Sequence, residues 1–113
     1  MSWGIVELEP EVRDWLLGLT DEDFGHVAFY IDLLQEQGVQ LDEPYTRQLR
    51  GKLRELRFHL GRQQRRITYY IASGRRIVLL TVFRKTRMRE VQEVARADAA
   101  MLRCIAQGHT AED

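Results

Sequence analysis

The sequence predicts an α+β fold in a single domain spanning residues 1–113: two helices packed on an antiparallel sheet, with another helix closing the chain. Three observations carry this expectation. Apolar residues recur at helical spacing through the first third, alternate with polar ones through the middle, and return to a 3.6-residue period near Glu90. A chain of 113 residues can bury one core, and its 44% hydrophobic and 30% charged residues are ordinary for a globular protein.

In chain order, "WGIVEL" (residues 3–8) reads as a short strand. Pro10 suits the first turn of a helix whose apolar positions are Val12, Trp15, Leu16 and Leu19, and Gly18 weakens or ends it. Thr20 fits an N-cap, with Asp21, Glu22 and Asp23 at the positive end of a second helix dipole. Phe24, Val27, Ala28, Ile31 and Leu34 form that helix's expected buried stripe, and Gly38 is a natural stop. The pair makes an αα-hairpin, and residues 39–51 read as a connection.

The period then becomes two. Leu56, Phe58 and Leu60 share one side of a strand and Glu55, Arg57 and His59 the other. In the next strand Ile67, Tyr69 and Ile71 lie opposite Arg66, Thr68 and Tyr70. "SGRR" at 73–76 supplies a hairpin turn, and "IVLLTVF", apolar in both parities, predicts a strand buried on both faces. That strand ends in "RKTRMR". Val91, Val94, Ala95, Met101, Leu102 and Ile105 make the apolar side of the last helix, so the predicted order is β-α-α-β-β-β-α.

Charge is unevenly placed. Residues 47–89 hold fourteen Lys or Arg and one acid, Glu55, while residues 1–46 hold eleven acids and only Arg13. A basic block rich in arginine fits a polyanion, because the planar guanidinium fork pairs with phosphate in two hydrogen bonds. The competing account is a solvated surface balanced by the acidic helices. No run approaches the ~18 apolar residues of a membrane helix, and no leader peptide is evident at the N-terminus. The lone Cys104 fits a reducing compartment, so the expected location is cytoplasmic, with no membrane association.

Parity places Arg57, His59 and Arg66 on one open sheet face, and Lys85 and Arg87 can close it from the rim. Such a surface grips a phosphate backbone, and Tyr70 offers a stacking surface to a base. RNA needs the least equipment for chemistry there. Its 2′-OH attacks the adjacent phosphate once a base takes the proton and cations neutralise the phosphate oxygens. His26, His59 and His109 are scattered without a carboxylate cluster, so neither metal nor other cofactor is expected. Cys104 lacks a nearby histidine, and Ser2 and Ser73 lack a nucleophile context. Trp3, Trp15 and Tyr69 read as packing residues.

The order of elements, with "QLRGKLRELRF", "RRITYYIASGRRIVLLTVFRK" and a helix beginning "REVQEVARA", resembles the RelE/HigB superfamily of bacterial toxins, and most closely its phage-derived Gp49-like HigB branch. The resemblance implies the RelE-like fold and a metal-independent endoribonuclease that cuts mRNA in the ribosomal A site, leaving a 2′,3′-cyclic phosphate. It further implies an antitoxin partner, of helix-turn-helix type, and no small-molecule cofactor. By motif position, Arg57, His59, Arg66, Lys85 and Arg87 are the implied catalytic group. Lys52, Arg54, Tyr70, Arg84 and Arg89 are the implied RNA-binding group. The segment after Arg87 has no tyrosine in the place where some members carry their base, which leaves that role to His59 or Lys85. The related ParE toxins share the fold but act on DNA gyrase without cutting RNA, so a non-catalytic poison or a plain nucleic-acid-binding module are the alternatives.

Overall fold

A computed structural model describes residues 2–108. Its elements are β1 (Ile5–Leu8), α1 (Pro10–Leu17), α2 (Asp21–Gln37), a 3₁₀ turn (Gly38–Gln40), β2 (Thr46–Arg50), β3 (Leu53–Leu60), β4 (Gln63–Ala72), β5 (Arg76–Arg84) and α3 (Val91–Ala106). One five-stranded sheet runs β1-β5-β4-β3-β2. Its pairs are antiparallel except β1 with β5, which is parallel.

The local signals for the helices act as expected. Pro10 opens α1, and the Thr20 side chain accepts a hydrogen bond from the Asp23 N–H at 3.2 Å, capping α2. Gly38 ends α2 with φ +51°, where a side chain is doubly disfavoured: a β-carbon there falls 2.1 Å from the Trp3 ring. Trp3 thus packs over the α2 terminus instead of starting the strand, its N–H donating to the Gln35 carbonyl at 2.9 Å. β1 therefore begins only at Ile5.

Residues 39–51, expected as a connection, contain an additional edge strand. Thr46–Arg50 pairs with β3, Thr46 opposite Leu56 and Arg47 opposite Glu55. Only Thr46 of this strand is buried, so it carries none of the apolar alternation that marks its neighbours.

Two cores sandwich the sheet. Leu56, Phe58, Ile67, Tyr69, Ile77 and Leu79 pack with Val12 and Leu16 of α1 and Val27 and Leu34 of α2. On the opposite face, Leu53, Tyr70, Ala72, Val78 and Leu80 pack with Ala97, Met101 and Cys104 of α3. The buried side of α3 is rotated from the expected stripe: Val91 and Leu102 are exposed, and Ala97 and Cys104 are fully buried instead. Phe24, expected in the stripe of α2, is also exposed. α3 is pinned in place by Arg96, which pairs with Glu11 and Glu93 and donates to the Val82 carbonyl at 3.3 Å. The other Glu11 oxygen accepts the Val82 N–H at 2.9 Å, a ladder group that β1 is too short to reach.

α3 covers only the half of its face that carries Tyr70, Ala72 and Val78. The other half, toward Glu55, Arg57, Arg66 and Phe83, is left for the loop at residues 85–90 to border.

Candidate active site

The uncovered half of the sheet is built by strand alternation. Arg57 and Arg66 stand directly opposite one another in the β3–β4 ladder, and Glu55 is two residues before Arg57 on the same face. The Glu55 carboxylate lies 3.7 Å from Nε of both Arg57 and Arg66. Glu55 is 7% exposed and Arg66 3%, while the Arg57 side chain is 27% exposed.

Arg66 is fixed by its own strand. Its Nη1 donates to the Arg65 carbonyl at 3.0 Å and Nη2 to Gln64 Oε1 at 3.1 Å. Its Nε and that of Arg57 are buried without a hydrogen-bond acceptor among the described residues, since 3.7 Å is an ion-pair distance and too long for a hydrogen bond. A buried unsatisfied donor costs about 1–3 kcal/mol, and the Nε of Arg65, on the other face of the sheet, is in the same state.

Burial pushes the Glu55 carboxyl above its ordinary value of 4.5, against the opposing pull of Arg66 and Arg57. Burial likewise lowers the Arg66 pKa, with Glu55 opposing. Both partners shift against their charged forms, so desolvation outweighs the pairing. The ion pair therefore adds little to stability, because the cost of burying its charges offsets their attraction.

Other expected residues are placed as follows. His59 is exposed and, with Arg57 and Arg66, lines a hollow of about 300 Å³ at the β3 edge. Lys85, Arg89, Arg47 and Glu55 line a neighbouring cleft of about 390 Å³ between the sheet and the start of α3. Within it Lys85 is a scaffold: its Nζ donates to the carbonyls of Arg87 at 2.6 Å and Met88 at 3.2 Å. Glu90 holds the same turn by accepting the Thr86 and Arg87 N–H groups, each at 2.7 Å. The Arg87 side chain is exposed on that turn, and Lys52 is exposed between β2 and β3.

One expected RNA contact is corrected, and two others lie on the opposite face of the sheet from Arg57. Tyr70 is fully buried beneath α3, with its hydroxyl donating to Cys104 Sγ at 3.1 Å, and has no face free to stack on a base. Arg54 has the opposite parity from Arg57 and braces β2, its Nη2 donating to Thr46 Oγ1 at 3.0 Å and its Nε to the Tyr69 hydroxyl at 3.3 Å. Arg84 pairs with Arg65, whose guanidinium lies 5.8 Å over the Trp15 ring, so both belong to the helical-hairpin face. The residue overlooked was Glu55. Its signal was present, for it is the single acid of the basic block and shares the parity of Arg57.

Among the described residues no three His, Cys, Asp or Glu side chains come together as a metal site, and no helix is long and apolar enough to cross a membrane. His109 lies outside the described residues.

Comparison with known proteins places the chain beside a family and a fold. The family model described as phage-derived protein Gp49-like matches residues 14–102. Among solved structures, a mutant of the Escherichia coli toxin RelE in the free state has a TM-score of 0.61 at 14% identity, over 91% of this chain and 98% of that chain. That likeness is one of fold. No curated protein matches the sequence.

Proposed function

We propose, from the premise that the chain belongs to the phage-derived Gp49-like family, that it is the toxin of a toxin–antitoxin pair and a ribosome-dependent mRNA endoribonuclease. The observation that carries this reading is the Glu55–Arg57–Arg66 cluster, in which two guanidinium groups with buried Nε atoms have no hydrogen-bond acceptor there among the described residues and share one carboxylate.

The chemistry follows from the order along β3. Arg57 lies between Glu55 and His59 on one strand face, with Arg66 across from it. A phosphate held by the two arginines has the carboxylate on one side and the imidazole on the other. Glu55 to His59 spans ~14 Å of strand, leaving room for one phosphodiester between their side chains. Glu55 accepts the proton of a 2′-OH, the 2′-oxygen bonds to phosphorus, and the bond from phosphorus to the 5′-oxygen breaks. His59 gives the leaving 5′-oxygen its proton. The products are a 2′,3′-cyclic phosphate and a free 5′-OH. Arg57 and Arg66 neutralise the charge that develops on the phosphate oxygens, and burial, by raising the Glu55 pKa, makes it a stronger base than an ordinary carboxylate. Lys85 contributes by holding the 85–90 turn, and Arg47, Arg87, Arg89 and Lys52 supply cationic surface for RNA or rRNA.

The partners of this reading are the ribosome, its mRNA and a cognate antitoxin, and the place of action is the cytoplasm. The test is to induce the protein in a bacterial host and map the 5′ ends of its mRNAs, with Arg66→Ala and Glu55→Gln alongside. In-frame cuts in translated regions, absent from both folded variants, are the expected result. Growth arrest without cuts would replace this reading with a non-catalytic poison of the gyrase type.

A further inference from the structure

We infer that the hollow at the β3 edge is a binding subsite for a single unpaired nucleobase, walled by Tyr45 and Tyr30 and entered from the Arg57–Arg66 phosphate position. The inference rests on the RNA-cleavage reading above and adds to it the part of the substrate that the sheet face itself leaves unrecognised.

The hollow exists because β2 is shorter than β3. β2 begins at Thr46, opposite Leu56, so the outer edge of β3 beyond Arg57 has no neighbouring strand. The Arg57 N–H donates to the Tyr45 carbonyl at 2.8 Å, and this last link fixes Tyr45 at the mouth of the gap. The edge carbonyl of His59 is taken by His26, whose Nε2 donates to it at 2.8 Å. That bond holds α2 over the gap as a second wall.

The walls are aromatic. Tyr30 of α2 stacks on the buried Phe58, with ring centroids 5.5 Å apart and planes 19° apart. His26 and Phe29 meet Tyr30 edge-on at 5.5 and 5.3 Å. Tyr45 faces Tyr30 at 6.5 Å with a tilt of 43° and is itself 40% exposed. The opposite side of the hollow is polar, formed by His59, Gln64 and the two arginines. Aromatic surface on one side, hydrogen-bonding groups on the other and cations at the entrance suit a base still attached to its phosphate. At about 300 Å³ the space is at the lower limit of small-molecule sites and admits one nucleotide, not a paired strand. This is the stacking role that Tyr70, buried under α3, does not fill.

The test uses the full chain and 2′-O-methyl RNA hexamers, which cannot undergo 2′-OH attack, each carrying 2-aminopurine at one successive position. With the wild-type protein, fluorescence should be quenched at one position of the series. Tyr45→Ala should remove that quench and weaken binding roughly tenfold, whereas Tyr45→Phe should preserve both. Circular dichroism of each variant establishes that it is folded. Quenching at no position, or unchanged quenching in folded Tyr45→Ala, would overturn the subsite. In the induction experiment, mRNA cuts that persist unaltered in Tyr45→Ala would overturn it while leaving the ribonuclease reading intact. Position-specific quenching by a protein that produces no cuts would uphold base binding and reject cleavage.

Discussion

The Glu55 carboxylate lies 3.7 Å from Nε of Arg66, and each group is shifted by burial against its own charge. A pair of this kind is a poor source of stability, because desolvation cancels most of the Coulombic gain. In the proposed reaction the carboxylate takes up the proton of the 2′-OH. Glu55→Gln keeps the shape and removes the proton acceptor. We expect it to remain folded and to lose about 10²–10⁴-fold in cleavage rate, measured by single-turnover kinetics on programmed ribosomes.

The same carboxyl sets a pH dependence. As the proposed base, Glu55 works only when ionised, so activity should rise with pH through a pKa above the ordinary 4.5 of a glutamic acid. A pH–rate profile of the wild type should show that acidic limb, and the residual activity of Glu55→Gln should lack it. Stability runs the other way. With its folded pKa raised, Glu55 binds its proton more tightly in the native state, so its contribution favours folding below the ordinary carboxylate range. That contribution is lost as pH rises through the raised folded value. Urea titrations across this window should show the loss in wild type and its absence in Glu55→Gln.

Alternation made much of this legible and also set its limit. Leu56, Phe58, Ile67 and Tyr69 are buried on the side that the period of two assigns them, and Arg57 and Arg66 meet on the other. Alternation names a face but not what covers each stretch of it. Tyr70 and Arg66 have the same parity, yet α3 lies over one and not the other, so the tyrosine became core and the arginine part of the site. Arg54 needed no tertiary knowledge, since its parity already set it against Arg57. β2 was hidden because a half-exposed edge strand with one buried residue has no hydrophobic period. Glu55 was read as an exception within a positive block, when its place between two arginines was the informative feature.

Tyr70→Phe separates the buried assignment from the RNA-stacking one. The hydroxyl contacts Cys104 inside the core, so its removal should change stability by about 1 kcal/mol and leave cleavage unchanged. A large loss of activity in a folded Tyr70→Phe protein would return this residue to the RNA surface.

Arg66→Lys tests whether charge alone suffices at the phosphate. Lysine keeps the charge but not the planar fork that lets Arg66 hold Gln64 and the Arg65 carbonyl while turning Nε inward. We expect Arg66→Lys to lose about 10²-fold or more in rate, close to Arg66→Ala, with a circular dichroism spectrum like that of the wild type. Near-normal cleavage would make Arg66 a point charge and move the geometric role to Arg57.

Gly38→Ala addresses the scaffold behind the site. The residue has φ +51°, and a β-carbon there falls 2.1 Å from Trp3. Trp3 in turn lies under the Arg75 guanidinium at 5.3 Å, in the turn between β4 and β5. The substitution must therefore displace a tryptophan that ties the end of α2 to the sheet, besides adopting a backbone conformation that alanine disfavours. Overpacking costs about 1–3 kcal/mol, and the backbone at φ +51°, ψ −119°, outside the left-handed helical well, about 1–3 kcal/mol more. A loss of about 2–6 kcal/mol in urea denaturation is the expected result. Because Trp3 lies in the hydrophobic layer on the sheet face opposite Glu55, the fraction that stays folded should cleave at the wild-type rate. A stable Gly38→Ala protein with reduced cleavage would instead mean that the two faces of the sheet are coupled.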